Sequence, residues 1–83
     1  MPDIANKRVL VTGAAGFIGT RLLARLVDDG ARVFALDRGP VANTRIERAF
    51  CGDIADANAL RTAVRESAPD VVFHLAASLV RSS

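Results

Sequence analysis

The sequence has one cysteine, one lysine and no tyrosine in 83 residues, and only 5% of it is aromatic. A single thiol, Cys51, cannot close an internal disulfide, so the fold has no covalent brace of that kind. The ten arginines and Lys7 give a net charge of +2. They are scattered through the chain, with Arg21, Arg25, Arg32, Arg38, Arg45, Arg48, Arg61 and Arg65 forming no basic run and no interleaving with aromatic residues, so they read as a solvated surface rather than a nucleic-acid footprint. No apolar stretch approaches the length that spans a bilayer. Met1 to Asn6 is short and polar, and the apolar stretch after it is broken by glycines, unlike a signal peptide. The expected setting is cytoplasmic, with no nucleic-acid and no membrane partner. Repeats and low-complexity segments are absent as well.

What the chain does have is apolar content, at 51% hydrophobic against 24% charged, which is the balance of a globular domain. Its length allows one small domain at most, only marginally able to hold itself together. The organising stretch is Val9 to Gly19, V-L-V-T-G-A-A-G-F-I-G. A short apolar, β-branched strand runs into three glycines and then into a helix that begins near Phe17. Gly13 allows the sharp bend, Gly16 allows close approach of a phosphate, and Gly19 allows the helix to pack close to the strand. The N–H groups that open the helix have no partner within it, and the macrodipole favours negative charge there, so a pyrophosphate fits over the turn.

From this turn the rest can be placed. After the tail, Lys7 to Thr12 is the first strand. Ile18, Leu22, Leu23, Leu26 and Val27 recur at helical spacing opposite Arg21, Arg25 and Asp28, and Gly30 stops the helix. Asp28 and Asp29 sit at the helix's negative end, where they are unfavourable. Arg32 to Asp37 is the second strand, broken by Gly39-Pro40. Val41 to Arg45 is loop, and Ile46 to Cys51 is a weaker third strand. Asp56 caps a helix that runs to about Ser67 with Leu60, Ala63 and Val64 on its apolar face, and Pro69 follows its end. Asp70 to Leu75 is the fourth strand. This order argues an α/β fold, part of a doubly wound Rossmann sheet with four parallel strands in order 3-2-1-4 and crossover helices between them. Asp37 falls about twenty residues beyond the turn, where an acid that binds ribose is expected. The fourth strand, D-V-V-F-H-L, is expected to leave an unpaired apolar edge.

Four pieces of the chain, T-G-A-A-G-F-I-G at Thr12 to Gly19, the acid at Asp37, G-D-I at Gly52 to Ile54 and V-F-H-L-A-A at Val72 to Ala77, together resemble the amino-terminal half of the extended short-chain dehydrogenase/reductases, specifically the NAD-dependent epimerase/dehydratase group acting on nucleotide sugars. The resemblance spans Lys7 to Ala77. It implies that backbone groups of the Gly13 to Gly19 turn, notably at Phe17 and Ile18, hold the pyrophosphate, and that Asp37 accepts hydrogen bonds from the adenosine ribose. A 2′-phosphate would meet that carboxylate with like charge, which favours NAD, whereas Arg38 just past the strand could recognise NADP instead. Asp53 and Ile54 match the family's adenine contacts, the less favoured alternative being that Asp53 begins an Asx-type turn or helps cap the next helix. Leu75, Ala76 and Ala77 match the strand end along the cofactor, with ordinary core packing as the alternative. His74 reads as a hydrogen-bonded structural histidine and Cys51 as a small buried hydrophobe.

The family's reaction uses a tyrosine activated by a lysine four residues on, together with a serine or threonine. With no tyrosine here, and Lys7 ahead of the first strand, no catalytic residue and no metal ligand is assigned; Ser78, Ser82 and Ser83 come too early to serve. The expectation is the cofactor-binding half-domain of a longer enzyme, a fragment inactive alone and without a substrate lobe, whose nucleotide sugar would be bound only by a full-length parent. The alternatives are a free-standing NAD(P)-binding module, or an interaction module that associates through its exposed fourth-strand edge.

Overall fold

A computed structural model describes residues 3–43 and 45–75. Its elements, in chain order, are β1 (Arg8–Thr12), α1 (Phe17–Asp28), β2 (Arg32–Asp37), β3 (Arg48–Cys51), α2 (Ala57–Ser67) and β4 (Val71–His74). The strands form one parallel sheet in the order β3-β2-β1-β4, as expected from the alternation of strands and helices. The register sets Val9 beside Val33 on one side and Val71 on the other, so β1 is paired along both edges.

Alternation along the central strands divides the core between the two faces. Val9, Val11, Val33 and Ala35 point to one face and pack with Leu23 and Leu26 of α1. Leu10, Phe34, Leu36 and Phe50 point to the other and pack with Ala63 and Leu60 of α2. Both faces of β1 and β2 are thereby covered, which is why these strands read as nearly continuous apolar runs.

The helix ends follow local rules. The N–H groups of Gly30 and Ala31 donate to the carbonyls of Val27 and Leu26 at 3.0 and 3.1 Å, and Gly30 takes φ +88°, a left-handed close that suits glycine. The two aspartates at this end are compensated: Asp29 pairs with Arg25 at 3.1 Å and Asp28 with Arg45 at 3.3 Å. In α2, Asp56 accepts from the N–H groups of Asn58 and Ala59, the capping role read from the sequence. The other end of α2 is met by Arg8, whose guanidinium donates to the carbonyls of Ser67 and Glu66 and lies 4.9 Å over the Phe34 ring.

Several boundaries and environments differ from expectation. β1 starts at Arg8 rather than Lys7, and β3 at Arg48 rather than Ile46; the Glu47 N–H bond to the Val33 carbonyl, at 2.7 Å, opens that ladder, and Ile46 instead packs against the α1-side core. β4 is shorter by one residue at each end, although Asp70 and Leu75 continue its bonding to β1 at 2.7 and 3.0 Å. Ile18, expected on the apolar face of α1, is 68% exposed. The core-facing residues begin only at Gly19, Leu23 and Leu26, because the first turn of the helix lies at the glycine bend rather than over the sheet. Val64 is half-exposed, and the buried face of α2 runs through Ala63 to Ser67 instead. Cys51, expected to be buried, is exposed, since among the described residues β3 is an edge strand and only Phe50 turns inward from it. The expected apolar edge at β4 is present, with Val71 and Val72 exposed and no further strand among the described residues.

Candidate functional site

At the carboxyl ends of β1 and β2 the chain makes a cleft of about 580 Å³, lined by Gly13, Ala15, Gly16, Asp37, Arg38, Asp53 and Ile54. Open parallel sheets place ligand clefts at this end, where strand order reverses. Here the reversal lies at β1, flanked by β2 and β4.

The floor of the cleft is the turn between β1 and α1. Gly13 takes φ +76°, a left-handed conformation that a side chain would strain, and its N–H donates to the Leu36 carbonyl at 2.9 Å. Gly16 is the N-cap of α1 and offers no side-chain acceptor to the N–H groups behind it, and the first turn carries no acid. No side chain at this end of the helix offsets the positive end of its dipole. A Cβ built on Gly16 would find only the Gly13 carbonyl oxygen, at 3.9 Å, so the space over the turn is open. Gly19 is the opposite case: a Cβ there would lie 2.7 Å from the carbonyl oxygens of both Gly13 and Ala14. Its smallness lets the helix sit against the turn itself rather than against the strand.

Asp37, at the end of β2, forms the wall beside this turn. One carboxylate oxygen accepts from the Ala15 N–H at 3.1 Å and the other from the Gly39 N–H at 2.8 Å. Across the cleft Asp53 closes an Asx turn on the Ala55 N–H at 2.9 Å, the alternative raised for it above, and still lines the cleft. Its second oxygen stands 3.7 Å from the Arg38 guanidinium. Among the described residues no group of three or more His, Cys, Asp or Glu side chains could hold a metal.

The structure thus brings Gly13, Gly16, Asp37, Arg38, Asp53 and Ile54 into one place. Phe17 and Ile18 lie in the first turn of α1, and their side chains are mostly exposed rather than in the cleft lining. Gly19 is buried beneath the turn. Leu75 packs against the α1-side core, and Ala76 and Ala77 lie outside the described residues. His74 is hydrogen-bonded as expected, its Nδ1 2.8 Å from the Thr12 hydroxyl, but it is exposed rather than enclosed in the strand. Sequence reading missed Ala15 and Gly39, which act through main-chain donors that leave no signature in residue type.

Comparison with known proteins bears on the same segment. Residues 9–83 match the model of the NAD dependent epimerase/dehydratase family. A 3 beta-hydroxysteroid dehydrogenase/Delta 5→4-isomerase of Mycobacterium tuberculosis is 44% identical over 73 residues, covering 84% of this chain and 19% of the relative. A UDP-glucose 4-epimerase of Mycolicibacterium smegmatis is 41% identical over 83 residues, covering 87% of this chain and 26% of the relative. Among solved structures, MoeE5 in complex with UDP-glucuronic acid and NAD superposes with a TM-score of 0.70 at 45% identity, over 83% of this chain and 22% of that one. The chain spans about a fifth to a quarter of the length of the curated relatives it matches. By its matched residues, its strand order and its glycine turn, the chain belongs to the NAD dependent epimerase/dehydratase family.

Proposed function

We propose that the cleft binds a nicotinamide dinucleotide, NAD in preference to NADP, and that the chain is the cofactor-binding portion of an epimerase/dehydratase-type enzyme. The observation that carries this reading is the placement of Asp37, which shares one cleft with the glycine turn and is bonded to it through Ala15. A pyrophosphate over the turn would meet the main-chain N–H groups at Phe17 and Ile18, with Gly16 leaving its approach clear. Each Asp37 oxygen has one main-chain partner and retains a lone pair for a ribose hydroxyl. A 2′-phosphate in the same place would face like charge, which is the basis for preferring NAD. Asp53 and Ile54, on the opposite wall, fit an adenine edge and face, and Leu75 with Ala76 and Ala77 would continue the site along the cofactor.

Bound NAD supplies a hydride acceptor to such enzymes; what this chain contributes is the grip. A relative named as a hydroxysteroid enzyme and one named as a nucleotide-sugar enzyme share this segment at nearly equal identity, 44% and 41%. Handling of a common cofactor explains that sharing better than recognition of a common substrate. The neighbour holding NAD together with UDP-glucuronic acid supports NAD as the ligand and a nucleotide sugar as the substrate of a full-length parent. Calorimetric titration of the chain, with circular dichroism to establish folding, tests the reading. Saturable binding with NAD tighter than NADP is expected, and a folded protein that takes up neither nucleotide refutes it.

A further inference from the structure

We infer that Asp53 sets cofactor selectivity indirectly, by pairing with the Arg38 guanidinium, the cation lining the cleft that could otherwise meet a 2′-phosphate. The inference rests on the dinucleotide reading of the cleft and extends it to a pair of residues facing each other across the cleft mouth. Three charges line the cleft: the carboxylates of Asp37 and Asp53 and the guanidinium of Arg38. Asp37 is fixed by its two main-chain donors and cannot turn away. Arg38 is the movable one, with its side chain 77% exposed and no hydrogen bond to Asp37.

Two contacts bias where that arginine goes. Its carbonyl receives the Cys51 thiol at 3.7 Å, which ties its backbone to the end of β3. Its guanidinium then stands 3.7 Å from the Asp53 carboxylate, which follows β3 by two residues. In this arrangement the positive charge that could accept a 2′-phosphate is already matched by Asp53, and the cleft keeps the net negative charge of Asp37. Neutralising Asp53 would release Arg38 and bring the net charge of the cleft lining from −1 to zero, with Asp37 still ionised. Both changes favour the nucleotide with the additional phosphate. The pair is solvent-exposed, so its hold is modest and a small perturbation is enough to release it.

The test is the ratio of NAD to NADP dissociation constants. Both nucleotides carry the same adenine, so any effect of Asp53 on the adenine cancels in the ratio. Asp53→Asn should shift the ratio toward NADP by about two- to fivefold at low salt. Arg38→Ala alone should shift it little, and the double variant should lose most of the gain seen with Asp53→Asn. An unmoved ratio in Asp53→Asn, with both nucleotides still binding measurably, overturns this inference and leaves the dinucleotide reading standing. An equal gain with Arg38 removed also overturns it, because charge removal alone would then account for the effect. A folded parent chain that binds neither nucleotide overturns the dinucleotide reading, and this inference with it.

Discussion

The main-chain N–H of Ala15 donates to the carboxylate of Asp37 across 3.1 Å, joining the middle of the glycine turn to the end of the neighbouring strand. Twenty-two positions of sequence separate the two residues, and the bond makes the acid and the turn one unit. The same side chain also accepts from Gly39 at 2.8 Å, so one carboxylate shapes both the glycine turn and the loop that follows β2.

Asp37→Ala is therefore expected to act twice. Loss of two acceptors for partly buried N–H groups should lower stability by roughly 1 to 3 kcal/mol in chemical denaturation. Loss of the negative charge should narrow the NAD to NADP preference in titration. Asp37→Asn separates the two effects, because the amide oxygen still accepts one N–H bond while the charge is gone. If the alanine variant keeps the parent's selectivity, Asp37 has no part in choosing the nucleotide.

Asp56 gives a purely structural counterpart. Its carboxylate accepts from Asn58 and Ala59 at 2.9 and 3.3 Å at the start of α2, on the far side of the sheet from α1. Asp56→Ala should cost about 1 kcal/mol of stability and shift the denaturation midpoint accordingly. It should leave nucleotide affinity unchanged, since Asp56 is not among the residues lining the cleft. A change in affinity comparable to that of Asp37→Ala would mean that α2 is coupled to the cleft through Gly52 to Ala55.

Much of this is legible in the sequence because side-chain chemistry announces it. Alternation of strands with amphipathic helices predicts the parallel order, and Asp56, Gly30 and the glycine turn each carry a residue type that only a few local geometries demand. What escaped was carried by main chain or by tertiary neighbours. Ala15 and Gly39 meet Asp37 through N–H groups that every non-proline residue has. Ala68 closes α2 at φ +43° without the glycine that usually marks such an end, with Arg8 on the adjoining carbonyls. Cys51 and Ile46 differ from the sequence expectation for a related reason: among the described residues β3 has a neighbour on one edge only, so its residue pattern reports burial poorly. Ile18 satisfies the helical period of α1 yet projects beyond the sheet, since periodicity records which face a residue is on and not how far the facing surface extends.

Absence of tyrosine makes a prediction about chemistry. In the family's reaction a tyrosine hydroxyl exchanges the proton while hydride moves, and these 83 residues contain no tyrosine. Incubated with NAD and UDP-glucose, the chain is expected to give no hydride transfer above background by absorbance of the reduced cofactor, even where titration shows NAD bound. Turnover by this chain would require another proton donor and would undo its assignment as a cofactor-binding portion only.

Gly16 and Gly19 lie three residues apart in one motif, and their surroundings predict opposite consequences of substitution. At Gly16 the backbone has ordinary dihedrals, φ −73° and ψ 175°, and a Cβ would lie 3.9 Å from its nearest neighbour. Gly16→Val should therefore leave the chain folded, with stability changed by less than about 1 kcal/mol, because a surface position without strain or lost contacts is tolerant. Dinucleotide binding should nevertheless disappear, since the side chain would occupy the space through which the phosphates must approach. At Gly19 even alanine would press its Cβ to 2.7 Å from two main-chain oxygens, which cannot swing aside as a side chain would. Gly19→Ala should lower stability by about 1 to 3 kcal/mol, the range for forced overpacking. Denaturation and titration of the two variants side by side resolve the two roles. Retained NAD affinity in Gly16→Val would remove the turn from the binding site, and undiminished stability in Gly19→Ala would show that α1 can withdraw from the turn at no cost.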